Sequence, residues 1–186
     1  MAEIAYCIFE TAIGACGIAW REPEDGGDSS AVVVTGFQLP EATRQKTEVR
    51  MARQAGAEAA RVPPAAIANL IERVQRHLGG ELTDFADVPV DMGGCEPFSL
   101  AVYAAARHIP TGQSRTYGAL ARILGQPGAA QAVGQALGNN PIPLIVPCHR
   151  IVAADGKGGG FSAHGGLKAK ERLLVIEGAM TGELGF

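Results

Sequence analysis

Pro141-Ile-Pro-Leu-Ile-Val-Pro-Cys-His-Arg150 sets a thiol, Cys148, directly before an imidazole, His149. Each proline in this stretch fixes its own φ and drives the residue before it out of the helical region. The segment is therefore expected to be extended and stiff, with the apolar run Leu144-Ile145-Val146 buried. A cysteine on a rigid segment beside histidine and arginine can be aimed in advance, and nearby cationic groups favour the thiolate, which is the nucleophilic form. The same residues also suit an inert buried cysteine, the usual fate of a free one, because Cys-His alone is a weak signal. The flanking sequence decides between the two.

Asn139-Asn140 stands just before the stretch. The glycine-rich run Asp155-Gly-Lys-Gly-Gly-Gly-Phe-Ser-Ala-His-Gly-Gly-Leu167 follows it, and a helix ending Leu174-Val-Ile-Glu-Gly178 closes the unit. Upstream, Phe98, Ala101, Val102 and Ala105 give a helix one apolar face. Pro110-Thr-Gly112 breaks the chain, and Thr116 is a suitable N-cap. Tyr117, Leu120, Ile123 and Leu124 line a short helix that Gly125 stops. Ala129, Ala132, Val133, Ala136 and Leu137 then repeat at the helical i, i+3, i+4, i+7, i+8 spacing. Two short helices joined by a tight turn read as a helix-turn-helix. The far face of the second helix carries Ala130, Gln131, Gly134, Gln135 and Gly138, which are small or uncharged. Such a face can lie close to another backbone, either inside the protein or in a DNA groove.

From about Pro97 to Gly178 the chain resembles the O6-alkylguanine-DNA alkyltransferases, or methylated-DNA–protein-cysteine methyltransferases. The resemblance rests on Pro147-Cys-His-Arg150, the preceding Asn140-Pro141, the glycine loop and the terminal Glu177-Gly178, in that order. It implies an α+β fold: a small α/β N-terminal domain, ribonuclease H-like, over residues 1–93, and a mainly helical C-terminal domain over residues 94–186 with a winged helix-turn-helix-like DNA-binding unit. The implied activity is direct repair of duplex DNA, in which O6-alkylguanine, and O4-alkylthymine as a second lesion, is flipped out and its alkyl group passes irreversibly to the protein. Cys148 would be the nucleophile and His149 its base, through a bridging water because adjacent side chains on an extended segment point apart. Glu177 would orient and polarise His149, like the acid of a serine triad, and Asn140 would brace the turn before the active segment. Tyr117 and the N–H of Ser162 would serve the guanine O6 or N3. The Cys148 and Ile151 carbonyls would accept from its amine, and Phe161 and Leu137 would wall the pocket. Gln131, Ala130, Gln135, Arg150 and Arg115 would contact DNA, with the second helix entering the minor groove. Some family members carry zinc in the first half, but no metal and no cofactor is expected here. The protein would work once per molecule as a monomer, with cooperative binding along DNA left open.

Two features depart from the family pattern. Gln131 stands where relatives usually carry the arginine that fills the gap left by the rotated base. Glutamine can still hydrogen-bond the orphaned base but brings no charge, so Arg107, Arg115 or Arg122 would have to supply phosphate contacts. Ser162-Ala-His-Gly-Gly166 is longer than the Ser-Gly-Gly of many relatives, with His164 expected at the surface of that loop. Two other functions compete. A lesion-sensing protein would flip alkylguanine without removing it, but such relatives have tryptophan in place of the cysteine. A cysteine hydrolase would need an oxyanion hole that a helix-turn-helix does not suggest. The glycine loop lacks the lysine-serine pattern of a phosphate-binding loop.

Charge is unevenly shared. Residues 1–95 balance to −6 and residues 96–186 to +3 within an overall −3, so the second half can meet phosphates while the first faces away. Hydrophobic residues make up 47%, enough to bury a core. No apolar run reaches the roughly 20 residues of a membrane span, and Met1-Ala-Glu-Ile4 lacks a basic leader region. The irregularly spaced Cys7, Cys16, Cys95 and Cys148 read as reduced thiols in a cytoplasmic protein. In the first half, Ile4–Phe9, Cys16–Trp20 and Ala31–Phe37 read as strands around a charged loop, Arg21–Ser30. Glu41–Arg61 is helix-like. Pro64 can open a second helix in its first turn, with Ile67, Leu70, Ile71, Val74 and Leu78 on one face and Gly79-Gly80 ending it. Glu81 to Gly94 reads as the connector. Cys7, Cys16 and His77 lack the paired spacing of structural zinc ligands, and the cysteines read as small core hydrophobes.

Overall fold

The strands of the first half are apolar on both sides, and the fold buries both. The computed structural model describes residues 3–23, 32–57, 60–156 and 159–180. Strands β1 (Ile4–Thr11), β2 (Gly14–Arg21) and β3 (Val33–Gln38) form an antiparallel sheet in the order β1-β2-β3. Residues 24–31, most of the expected charged loop and the start of the expected third strand, lie outside the described residues. One face of the sheet presents Tyr6 and Ala19 to Met51 and Ala55 of helix α1 (Arg44–Ala55). The helix sits close because Gly17 and Gly36 leave room for it: a Cβ on Gly17 would come within 2.8 Å of Met51 Cγ. The other face presents Cys7, Phe9, Ile18, Trp20 and Phe37 to the main core. A bulge between Ala19 and Trp20 lets Phe37 and Val34 both point that way.

Helix α1 is shorter than the expected 41–61. The Thr43 side chain caps its start by accepting from the N–H of Lys46, and Gly56, with φ 64°, ends it. Helix α2 (Ala65–Leu78) buries Ile67, Leu70, Ile71, Val74 and Leu78 as its periodicity predicts; Pro64 lies one residue before the helix as its cap rather than in its first turn. The connector is no loose linker. Phe85 and Val88 are buried, and Asp91 N–H donates to the Val34 carbonyl beside a bridge between Val34 and Val90. The core is continuous from Trp20 and Phe37 to Cys148.

The second half holds α3 (Pro97–Arg107), α4 (Tyr117–Ile123), α5 (Ala130–Gly138) and α6 (Leu167–Ile176), plus a parallel pair of two-residue strands, β4 (Arg115–Thr116) and β5 (Ile151–Val152). Thr116 caps α4 as expected, its hydroxyl accepting from Ala119 N–H. Tyr103 of α3 donates to the Ala136 carbonyl and ties α3 to α5. The β4–β5 pair is too short to be read from sequence. The fold is therefore mixed α and β, with the sheet in the first half and most of the helix in the second.

The Pro141–Arg150 stretch departs from expectation. It is buried at Leu144, Ile145 and Val146 but not extended throughout. The chain turns at Leu144–Ile145, where Leu144 has φ 74°, and Cys148–Arg150 is a turn of 3-10 helix. The prolines restrict themselves and Asn140, Ile142 and Val146; Leu144 and Ile145 are the residues left to bend. Val146 N–H closes the turn onto the Ile142 carbonyl at 2.8 Å.

Candidate active site

Asn140 holds that turn from both ends. Its Nδ2 donates to the Val146 carbonyl at 2.9 Å, and its Oδ1 accepts from Ile142 N–H at 3.0 Å. The first half of the chain braces the same loop, since Phe37 N–H and Gln54 Nε2 both donate to the Pro141 carbonyl, at 3.1 and 2.6 Å. Cys148 is thereby fixed at a point where two openings meet. One is a cavity of about 810 Å³ lined by Tyr117, Ala130, Gln131, Leu137, Phe161 and Ser162 among others. The other is a groove of about 990 Å³ toward α1, which Pro143 and Phe161 also line. The 810 Å³ cavity is within the range of small-molecule sites. Burial pushes the Cys148 thiol pKa up, while the Asn140 side chain, the Lys170 charge and backbone N–H groups pull it back down.

Behind the thiol, His149 is fully buried. Its Nε2 meets Glu177 Oε1 at 2.9 Å, and its Nδ1 has no hydrogen-bond partner among the described residues. Burial lowers the imidazole pKa, with Arg150 and His77 acting in the same direction and Glu177 against them. A neutral ring facing a carboxylate carries its proton on Nε2. That leaves the Nδ1 lone pair as the free acceptor, in a ring adjacent in sequence to the thiol. Glu177 caps the C-terminal end of α6, where the helix dipole disfavours an anion. Burial also works against its charge, yet His149, His77 and Arg150 hold the carboxyl pKa far below the usual range.

Arg150 is corrected. It was expected to contact DNA, but it is 2% exposed and its guanidinium is spent inside the protein. Nε and Nη2 grip Glu177, each at 2.9 Å; Nη1 reaches the Ile109 carbonyl at 2.6 Å and Asp84 at 3.3 Å; and Nη2 also reaches Thr111. Arg107 is likewise committed, to the carbonyls of Phe85, Ala86 and Val88 in the connector. Arg115 is exposed and its side chain bonds locally, to Ser114 and Gln113, whereas Arg122 lines the cavity. Gln131 and Gln135 are exposed on α5, and Gln131 borders the cavity while Gln135 does not. Ser162 is exposed and Phe161 half-buried at the rim. His164, on the 162–166 loop, is exposed and 3.6 Å from Glu41.

Two site residues were missed. Lys170 is fully buried; its Nζ donates to the Ile151 carbonyl, to Tyr117 Oη at 3.3 Å and to the Gly160 carbonyl at 3.5 Å. Burial lowers its pKa to about 8, against the pull of Cys148. Gly159 must be glycine here: it has φ 62°, and a Cβ would come within 2.7 Å of Tyr117 Oη. His77 is the second missed residue, at 3.0 Å from Glu177 Oε1. Both carried a legible signal. Lys170 shares the buried face of α6 with Leu173, Leu174 and Glu177, and His77 continues the apolar stripe of α2. A polar side chain at a core position of a helix needs a partner. Cys7 and Cys16 are buried in the sheet, which pushes their pKa values up to about 11 and 12.

Residues 97–179 match the family model for the DNA-binding domain of 6-O-methylguanine DNA methyltransferase. Over 174 residues the chain is 36% identical to a methylated-DNA–protein-cysteine methyltransferase of Mycolicibacterium paratuberculosis, covering 94% of this chain and 92% of the relative. The chain belongs to the methylated-DNA–protein-cysteine methyltransferase family. The fold agrees with this alkyltransferase family beyond the matched domain. The crystal structure of the Mycobacterium tuberculosis O6-methylguanine methyltransferase superposes with a TM-score of 0.70 at 33% identity, covering 96% of this chain and 95% of that one. A crystal structure of Mycobacterium tuberculosis OGT in complex with DNA gives 0.68 at 33% identity, with 93% and 92% covered.

Proposed function

We infer that this alkyltransferase repairs DNA directly, taking an O6-alkylguanine rotated out of the duplex into the cavity beside α5 and moving the alkyl group irreversibly to Cys148. O4-alkylthymine presents the same oxygen-bound alkyl carbon. The observation that carries this is Cys148 on the floor of that cavity with the His149–Glu177 pair behind it. Relatives named as methyltransferases and a homologous structure with DNA support it.

In the proposed step the Cys148 S–H bond breaks and the proton passes to His149 Nδ1, directly or through one water. The sulfur electron pair forms the bond to the alkyl carbon, and the carbon–O6 bond breaks with its pair going to the guanine. A hydroxyl at the pocket wall, Tyr117, donates to the leaving base, and Lys170 supports that hydroxyl as a buried donor at 3.3 Å. Desolvation strengthens each of these interactions. The product thioether is stable, so each molecule acts once. The α5 face of Ala130, Gln131, Gly134 and Gln135 is read as the minor-groove element, within a winged helix-turn-helix-like unit formed by α4, α5 and the β4–β5 pair. Residues 1–93 are read as a ribonuclease H-like domain and residues 94–186 as the domain of transfer. The four cysteines are free, and the protein is read as cytoplasmic. Lesion sensing without transfer is not favoured, because a sensor has no use for an activated thiol.

Intact-protein mass after incubation with a duplex holding one O6-methylguanine tests this. A gain of one methyl group in place of hydrogen, absent in Cys148→Ala, is expected; tight lesion binding with no mass gain would favour the sensor instead.

A further inference from the structure

His77 lies on α2, in the half of the chain that contributes none of the groups assigned to the transfer step, yet it is fully buried against the Glu177 carboxylate. Both ring nitrogens are committed. The backbone N–H of Thr83 donates to Nδ1 at 3.2 Å. A nitrogen that accepts carries no proton, so the proton of the neutral ring is on Nε2. Nε2–H therefore donates to Glu177 Oε1 at 3.0 Å. The same oxygen receives His149 Nε2–H and Arg150 Nη2, both at 2.9 Å. Phe85 packs edge-on against the His77 ring, with centroids 5.2 Å apart, which fixes the ring plane. The carboxylate is thus gripped between two imidazoles, one from each half of the molecule.

We propose that His77 is a positioning residue for alkyl transfer: by donating to Glu177 Oε1 it sets the carboxylate that keeps His149 in the tautomer whose Nδ1 receives the Cys148 proton. This rests on the transfer function proposed above. The physics is that of an outer partner tuning an inner one. Each donor on Oε1 spreads the negative charge and makes the carboxylate a weaker attractor for a second proton on His149. Removing the His77 donor leaves Glu177 more basic and His149 easier to protonate, and an imidazolium cannot accept the thiol proton. The charged and titratable groups around the pair act in known directions. Arg150, from the 3-10 turn, opposes protonation of His149 and is itself offset by Asp84 from the connector. Glu177, from the end of α6, favours protonation. Lys170 and Tyr117 lie on the far side, around Cys148.

The test is the single-turnover rate of methyl loss from an O6-methylguanine duplex, measured against pH, for wild type, His77→Phe and His77→Gln, with thermal melting of each. Phenylalanine fills the space without a donor, while the glutamine amide keeps an N–H near the position of Nε2. Expected for His77→Phe is an acid limb moved up by about one pH unit, which lowers the rate about tenfold on the acid side of the limb and less at neutral pH. Recovery of most of the rate and of the wild-type limb is expected for His77→Gln. An acid limb that stays in place in His77→Phe overturns the proposal, whether the rate falls or not, since a merely structural loss lowers the active fraction equally at every pH. If wild type itself transfers no methyl group, it is the transfer function that fails.

Discussion

Four hydrogen bonds converge on the Glu177 carboxylate, and Arg150 supplies two of them. A charge buried this completely is tolerable only while its partners stay in place, because desolvation outweighs any single Coulomb attraction. Arg150→Met is therefore expected to destabilise the protein by about 3–5 kcal/mol, read from urea unfolding, while the salt dependence of DNA binding by the folded fraction stays as in wild type. A change in the salt slope would return Arg150 to the DNA surface. Lysine would not substitute, since one ammonium cannot match the fork that spans both carboxylate oxygens and the Ile109 carbonyl. Local sequence identifies Cys148 and His149 as reactive types. It does not show that Arg150 turns inward, because a 3-10 turn sends its side chains in directions that the extended segment would not.

At the scale of elements, α4 and α5 were legible because their signals are local: a capping Thr116, a stopping Gly125 and a helical apolar spacing that buries Val133, Ala136 and Leu137. The outer face of α5 was equally legible as small and uncharged. Gln131 stands on it at the edge of the cavity, exposed and with no side-chain hydrogen bond among the described residues. Gln131→Arg is expected to tighten binding to undamaged duplex at low salt and to steepen the slope of log affinity against log salt by about one. An unchanged slope in filter-binding or anisotropy titrations would mean that this face does not meet phosphates. The Pro141–Pro147 loop was only half legible. Its burial followed from apolar residues, but the bend at Leu144 depends on Asn140 and on the Pro141 carbonyl being held by Phe37 and Gln54 from the other half.

At the scale of the molecule, the two halves share one core and one buried carboxylate network, through His77, Asp84 and the loop contacts to Pro141. Elements joined by continuous apolar packing unfold together. Trp20, the sole tryptophan, is buried in the sheet of the first half, far in sequence from Cys148. Its fluorescence and the loss of far-ultraviolet helix signal are expected to give one coincident transition in urea. Two separated transitions would show that the halves fold independently. The proposed division at residue 93 would then also be a division of stability.

The sequence by itself determined most of the longer helices and strands and the small face of α5, because periodicity, caps and proline act over a few positions, and it singled out Cys148, His149 and Glu177 through the motifs that carry the family resemblance. Only the tertiary structure decided that Arg150 is an internal tie, that Lys170 stands beneath Tyr117, and that His77 reaches Glu177. Those contacts join residues far apart in the chain, and they exist because burying a charge obliges the fold to bring it partners.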